Sequence, residues 1–398
     1  MPQAKKPLPK QPWSTSRSAT KFEPACLQFM DFHHDDKFSR KSMARESEDC
    51  LYLNVFAPHT NNTPAQKYPV LVWIHGGSFL AGSGDTGMDP MIILKRLVSK
   101  DVILVTMNYR LGALGFFSSI SPDLRGNLGL WDQIEALKWI QQNIGYFGGD
   151  NTKVTLIGES AGAASVSLLA ISPVVRGLDL AHRAIIMSGS SGAGWALERR
   201  QKHEYDIENL YEYFACEKLF NRDDLANIFR GQDVTLDGKD HCNLMFKPLQ
   251  CSQSDTVHDL LKCFREKANF SDPYFRKAFA VELGVSKPIV DDEIIPYNVE
   301  DLLRKNAKIP IMIGVAEDEW GAKKLIYYSF KAYKNITNET IRQKIWGILE
   351  QSYRPSIYSP LSNRTMDLLI DAIVHYYIGS RWSNKVIEMK DFGEVLQN

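Results

Sequence analysis

Residues 153–170 read KVTLIGESAGAASVSLLA, and the rest of the chain is organised around them. Val154 to Ile157 is a short apolar, β-branched run, the signal of a buried strand. Gly158-Glu159-Ser160-Ala161-Gly162 follows as G-x-S-x-G, and small residues with leucine then continue at helical character. Strand, tight turn and helix is the context that a nucleophile elbow requires. Glycines flank such a serine because a Cβ there would collide with neighbouring backbone. The strain lifts the Ser160 hydroxyl clear of the sheet edge. A helix starting at Ser160 would bring its positive end beside developing negative charge.

Upstream, Leu51 to Phe56 alternates as a strand, and Tyr68 to Ile74 (YPVLVWI) reads as a second one. His75-Gly76-Gly77-Ser78-Phe79 comes directly after it. Bare glycine backbone can turn its N–H groups toward one point, which an oxyanion hole needs, and an HGG loop ahead of the elbow is its usual partner. His75 sits on the oxyanion side of the serine, so its ring is read as shaping the loop rather than as the base. Asp101 to Asn108 is a further buried strand, Leu130 to Ile144 a helix, Arg183 to Met187 a strand, Ile309 to Ala316 a returning strand and Met366 to Tyr377 a helix. Strands alternating with helices imply a mostly parallel sheet covered on both faces, an α/β fold. Residues 197–290 are more polar and hold four cysteines; they read as a helical excursion over the sheet's carboxyl edge.

Composition narrows the function. Among 398 residues, 47 basic side chains balance 47 acidic ones, which gives no support for a nucleic-acid partner. No run of 18 apolar residues is present, so no membrane span is expected. The opening MPQAKKPLPKQPW has no apolar core of a signal peptide. The six cysteines, Cys26, Cys50, Cys216, Cys242, Cys251 and Cys263, lack metal-site spacing. His33-His34-Asp35-Asp36 reads as a solvated loop, so neither metal nor cofactor is expected. Sequons at Asn61, Asn269, Asn335, Asn338 and Asn363, with the cysteines, point to an oxidising secretory compartment.

The chain resembles the type-B carboxylesterases, the cholinesterase-like branch of the α/β-hydrolases. PLPKQPW, SEDCLYLNVFAP, HGGSF, NYRLGALGFF, GNLGLWDQIEALKWIQQNIGYFGGD, VTLIGESAGAASV, PIVDDEIIP and IGVAEDEWGA carry the resemblance. It implies one α/β-hydrolase domain over residues 1–398 and a small carboxylic ester as substrate. It further implies Ser160 as nucleophile, Glu319 as the acid member, and Gly76, Gly77 and Ala161 as oxyanion donors. Disulfides Cys26–Cys50 and Cys251–Cys263, a structural ion pair between Arg110 and Asp132, and Trp195 at the acyl pocket are carried over with it. Cys216 and Cys242 stay unassigned.

Departures from the family pattern are equally specific. Triad order is Ser, acid, then His. After Glu319 the sole histidine is His375, on the helix where the family has a non-catalytic position. The base, the last strand and the closing helix are therefore expected to lie outside these residues, at both ends a truncation. The chain alone is expected to be nearly inactive. The Cys26–Cys50 loop holds Phe29, Phe32 and Phe38 but no tryptophan, against choline esters, whose ammonium needs a cation–π partner. Trp320 replaces the small residue that usually follows the acid. The alternative function is a non-catalytic, cholinesterase-like adhesion protein; such proteins usually lose the serine that Ser160 retains.

Overall fold

The computed structural model describes residues 5–27, 46–58, 67–85, 90–118, 125–198 and 287–316, with short pieces between 335 and 388. The chain divides into two compact units, Met1–Gly314 and Val315–Asn398. Most of the stretch 197–290 read as a helical excursion, namely 199–286, and the helix at Met366–Tyr377 lie outside the described residues.

The first unit is built on a six-stranded sheet. Its strands are β1 (Leu53–Phe56), β2 (Tyr68–Ile74), β3 (Ile103–Met107), β4 (Gly149–Glu159), β5 (Arg183–Met187) and β6 (Ile311–Gly314). Their spatial order is β1-β3-β2-β4-β5-β6. Only β1 pairs antiparallel with its neighbour; the other four pairings are parallel. The α-helices among the described residues of the first unit are α1 (Pro90–Arg96), α2 (Gly112–Phe116), α3 (Leu128–Asn143), α4 (Ala161–Ile171), α5 (Pro173–Gly177) and α6 (Val299–Asn306).

Chain direction reverses at the sheet's centre. From β2 the chain steps to β3 on one side, and from β4 it steps to β5 on the other, while β2 and β4 are neighbours. Such a reversal opens a crevice at the carboxyl ends of the adjoining strands, where α/β proteins bind ligands. The loops after β2 and β4 both empty into it.

Burial follows from composition. All five residues of β3 are buried, as an interior strand covered on both faces requires. All eleven residues of α4 are buried as well, and its alanines let the helix lie close to the sheet. On α3, Leu130, Ile134, Leu137 and Ile140 form the apolar face and are fully buried. Helix α6 is the most locally specified: Asn298 Oδ1 caps Asp301 N at 2.9 Å, acidic residues occupy the first turn and basic ones the last. Strand β6 ends the sheet order, and Ile311, Met312 and Ile313 on it are exposed.

Several predicted boundaries shift: β1, β3 and β6 are each shorter than their apolar runs, at Leu53–Phe56, Ile103–Met107 and Ile311–Gly314. Strand β4 runs from Gly149 rather than Val154, because its polar first half pairs with β2 through Tyr68 and Gly149. Helix α3 starts two residues earlier, at Leu128, directly after the left-handed Asn127. Ser160 caps α4 instead of starting it. In the second unit, Asn335–Ile336 pairs antiparallel with Ile387–Glu388.

Candidate active site

Ser160 has φ 53° and ψ −123°, a conformation that L-residues rarely adopt. Packing enforces this strain. A Cβ on Gly158 would lie 2.5 Å from the Gly162 carbonyl carbon, one on Gly162 would strike the Ile74 carbonyl oxygen, and one on Gly189 would strike the Ser160 carbonyl oxygen. Strand β4, helix α4 and strand β2 thus touch through bare backbone. Ser160 N–H donates to Met187 O at 3.0 Å, so the elbow is also tied to the end of β5. The serine side of the turn stays partly exposed while Ala161 is completely buried.

Sheet register brings the second loop alongside. Ile74 pairs with Gly158, so two residues further on Gly76 is level with Ser160. A Cβ on Gly76 would lie only 3.1 Å from Ser160 Cβ. Gly77 follows at φ 107°, and Ser78 and Phe79 continue with φ 56° and 61°. This run of positive φ values curls the loop back, closing with Leu80 N and Ala81 N on Gly77 O at 2.9 and 3.0 Å. Ala161 opens α4, where the first N–H groups have no intrahelical acceptor. The first helical bond is Ala164 N to Ser160 O, at 3.0 Å. Gly76 from one loop and a helix N-terminus from another therefore meet at the serine, with Gly77 the next residue of the glycine loop.

His75 is committed elsewhere. Its ring is buried, stacks on Tyr109 with centroids 4.3 Å apart, and meets Gly76 O through Nδ1 at 2.8 Å. The carbonyl only accepts, so Nδ1 carries the proton. Desolvation pushes the imidazole down to about 4, with the Gly76 contact opposing weakly. A buried imidazole bonded to its own loop shapes that loop and is no base for Ser160. The other described histidine, His182, accepts from Val154 N through Nδ1 at 3.2 Å, at the start of β5. That is the opposite end of the sheet from the serine.

Supporting residues surround the loops. Asp132 takes Arg110 Nη2 at 2.7 Å, Nε at 2.8 Å and the backbone N at 3.0 Å, a bidentate pair with a third bond. Cys26 and Cys50 are joined by a disulfide. Asn108 Nδ2 reaches Cys50 O and Pro24 O at 2.9 and 3.0 Å, while its Oδ1 takes Gly84 N at 2.6 Å. It thereby fastens the base of the disulfide loop to the exit of the glycine loop. Trp195 stands on the segment after β5, 46% exposed. Glu319, Trp320, His375, Cys216, Cys242, Cys251, Cys263 and the His33–Asp36 cluster lie outside the described residues. Sequence reading overlooked Asn108, Tyr109 and Gly189. The first two were visible only as letters of the NYRLG stretch, and their partners come from distant segments.

A mostly parallel sheet with a strained serine turn after one central strand and a glycine loop after its neighbour defines an α/β-hydrolase. The chain belongs to the carboxylesterase family, whose model matches residues 4–391. It is 44% identical over 215 residues to acetylcholinesterase 1 of Caenorhabditis elegans, covering 53% of this chain and 34% of that one. It is 46% identical over 192 residues to juvenile hormone esterase of Tribolium castaneum, covering 48% and 30%. To pyrethroid hydrolase Ces2e of Rattus norvegicus it is 31% identical over 397 residues, 98% of this chain and 59% of that protein. The chain thus spans between 30% and 59% of the length of these relatives. Among the described residues no helix is long and apolar enough to cross a membrane.

Proposed function

We propose that the protein is a serine carboxylic-ester hydrolase working through an acyl-enzyme on Ser160. The observation that carries this reading is the closeness of Gly76 to Ser160, a Cβ on Gly76 falling 3.1 Å from Ser160 Cβ, around a serine held at φ 53°. Ser160 Oγ bonds to the ester carbonyl carbon and loses its proton to a base. The carbonyl oxygen becomes an oxyanion facing the N–H groups of Gly76, Gly77 and Ala161. Expulsion of the alcohol, which takes up that proton, leaves the acyl-enzyme, and water then releases the acid. Removing one oxyanion donor typically costs about 10²–10³ in rate.

Glu319 is assigned as the acid that orients the base imidazole, and Trp195 as a wall of the acyl pocket. The relatives named above are called acetylcholinesterase, juvenile hormone esterase and pyrethroid hydrolase. An uncharged small ester is the proposed substrate class, given the tryptophan-free loop between Cys26 and Cys50. The disulfide and the sequons support a secretory-pathway location for the protein. Residues 1–398 are read as belonging to one hydrolase domain. Within them His375 is the one histidine after Glu319 and is not assigned as the base, so turnover by the 398 residues alone is proposed to be slow.

The test is p-nitrophenyl acetate hydrolysis by the chain and its Ser160→Ala and His375→Ala variants. Loss of p-nitrophenol release in Ser160→Ala, with His375→Ala unchanged, supports the whole assignment. Loss in both variants makes His375 the base. Release that is unaffected by Ser160→Ala refutes the esterase reading and turns attention to a binding role for this fold.

A further inference from the structure

The two oxyanion-loop carbonyls are each held by a ring, and the rings hold each other. Tyr109 Oη donates to His75 O at 2.8 Å, and His75 Nδ1 donates to Gly76 O at 2.8 Å. The rings lie 4.3 Å apart at 18°, and both side chains are buried. Gly82, at φ 115°, closes the far side: a Cβ there would sit on His75 Nδ1. No described peptide is cis, and in a trans peptide the C=O and the following N–H point in opposite directions. Fixing His75 O therefore fixes where Gly76 N–H points, and fixing Gly76 O does the same for Gly77 N–H.

We propose that Tyr109 and His75 form a stacked pair of positioning residues that aims the Gly76 and Gly77 N–H groups at the oxyanion, with Tyr109 governing Gly76. The inference rests on the esterase reading for its catalytic consequence, though the aiming itself is a property of the loop. Glycine gives the loop no side chain to hold its peptides in place. Without an outside anchor, both peptides could rotate at little cost, and a donor turned away by a few tens of degrees contributes little to an oxyanion. Tyr109 suits the task because its hydroxyl sits on a ring wedged at the end of β3, so it moves only if the sheet moves. Its phenol is raised by burial and stays a donor throughout the ordinary pH range.

Tyr109→Phe keeps the ring and the stack and removes only the hydroxyl. His75-Gly76 is the single His-Gly pair in the sequence, so labelling histidine with ¹³C at the carbonyl and glycine with ¹⁵N isolates one amide signal, that of Gly76. The variant is expected to shift that signal or split it, while a general ¹⁵N-glycine spectrum otherwise stays in place. With p-nitrophenyl acetate, the acylation rate constant is expected to fall about 10- to 100-fold, with the half-saturating concentration within about twofold. A role in folding alone would not produce that split between rate and binding. An unmoved Gly76 amide, or acylation at the parent rate, overturns the proposal. If the parent protein does not acylate at Ser160 even on prolonged exposure, the esterase reading falls, and the Gly76 signal still decides whether Tyr109 aims the peptide. Should Tyr109→Phe not fold, His75→Phe replaces it: slower acylation at similar half-saturation supports the pair, and an unchanged rate overturns it.

Discussion

Asn127 holds the peptide of Ile289 from both sides, its Nδ2 donating to Ile289 O at 2.7 Å and its Oδ1 accepting from Ile289 N at 2.9 Å. The two residues are 162 apart in sequence and both are buried. One side-chain amide thus imitates a strand partner and docks the returning segment onto the start of α3. Asn127 also adopts φ 55°, a left-handed position that asparagine tolerates better than most residues. Asn127→Ala leaves a buried N–H and C=O unsatisfied and is expected to cost about 2–4 kcal/mol. Urea denaturation at neutral pH measures it; a loss under 1 kcal/mol, roughly one ordinary hydrogen bond, would contradict the docking role.

The Arg110–Asp132 pair is almost completely enclosed, with side-chain exposures of 12% and 1%. Removing one partner leaves an uncompensated buried charge, at a cost of about 3–5 kcal/mol. Asp132→Ala is therefore expected to destabilise severely, and Asp132→Asn less, since the amide still accepts from Arg110. Parallel denaturant curves for the two variants check the order.

His75 gives the protein an acid-side weakness. In the fold its imidazole is lowered from 6.5 to about 4 by burial, so between those values the unfolded chain takes up a proton that the native state refuses. Stability therefore rises with pH across that window, is fully present above 6.5 and is lost as pH falls toward 4. The full effect is about 3 kcal/mol. Asp291 works in the opposite direction, its carboxyl being raised by burial despite bonds from Ile295 N and Glu293 N. The measurement is consequently a difference: stability at pH 7 and pH 4.5 for the parent and for His75→Phe. The parent should lose more stability than the variant; equal losses would contradict the assigned cause.

Two glycines separate close packing from mere chain freedom. Gly162 has no room for a Cβ against Ile74 O, whereas Gly145 has nothing within 4 Å of one. Gly162→Ala is expected to cost about 3 kcal/mol or more and to disturb the elbow. Gly145→Ala is expected to stabilise by about 0.4–1 kcal/mol through the unfolded chain. Thermal melts of both variants give the comparison.

Local pattern made much of the fold legible. Strand β5 runs over the same residues as its apolar run, Arg183 to Met187, and β2 over YPVLVWI. Both are stretches where periodicity, burial and pairing agree. The first half of β4 was hidden because Gly149 to Lys153 is polar and owes its strand character to Tyr68 across the ladder. At the site, the serine and the two glycines are legible because strained turns demand particular residues. Tyr109 and Asn108 are not, since a tyrosine hydroxyl on His75 O and an asparagine on Cys50 O are facts of tertiary proximity. No spacing rule announces them.

The most direct measurement is peptide mapping of the acid-quenched protein after exposure to p-nitrophenyl acetate long enough for the slow acylation expected of these residues; deacylation needs the same base, so the acyl group accumulates. A nucleophile in this setting should carry an acetyl group on Ser160, at an occupancy far above that of any other serine and absent from Ser160→Ala. Acetylation spread evenly over surface hydroxyls and lysines, with Ser160 unmodified, would contradict the central assignment.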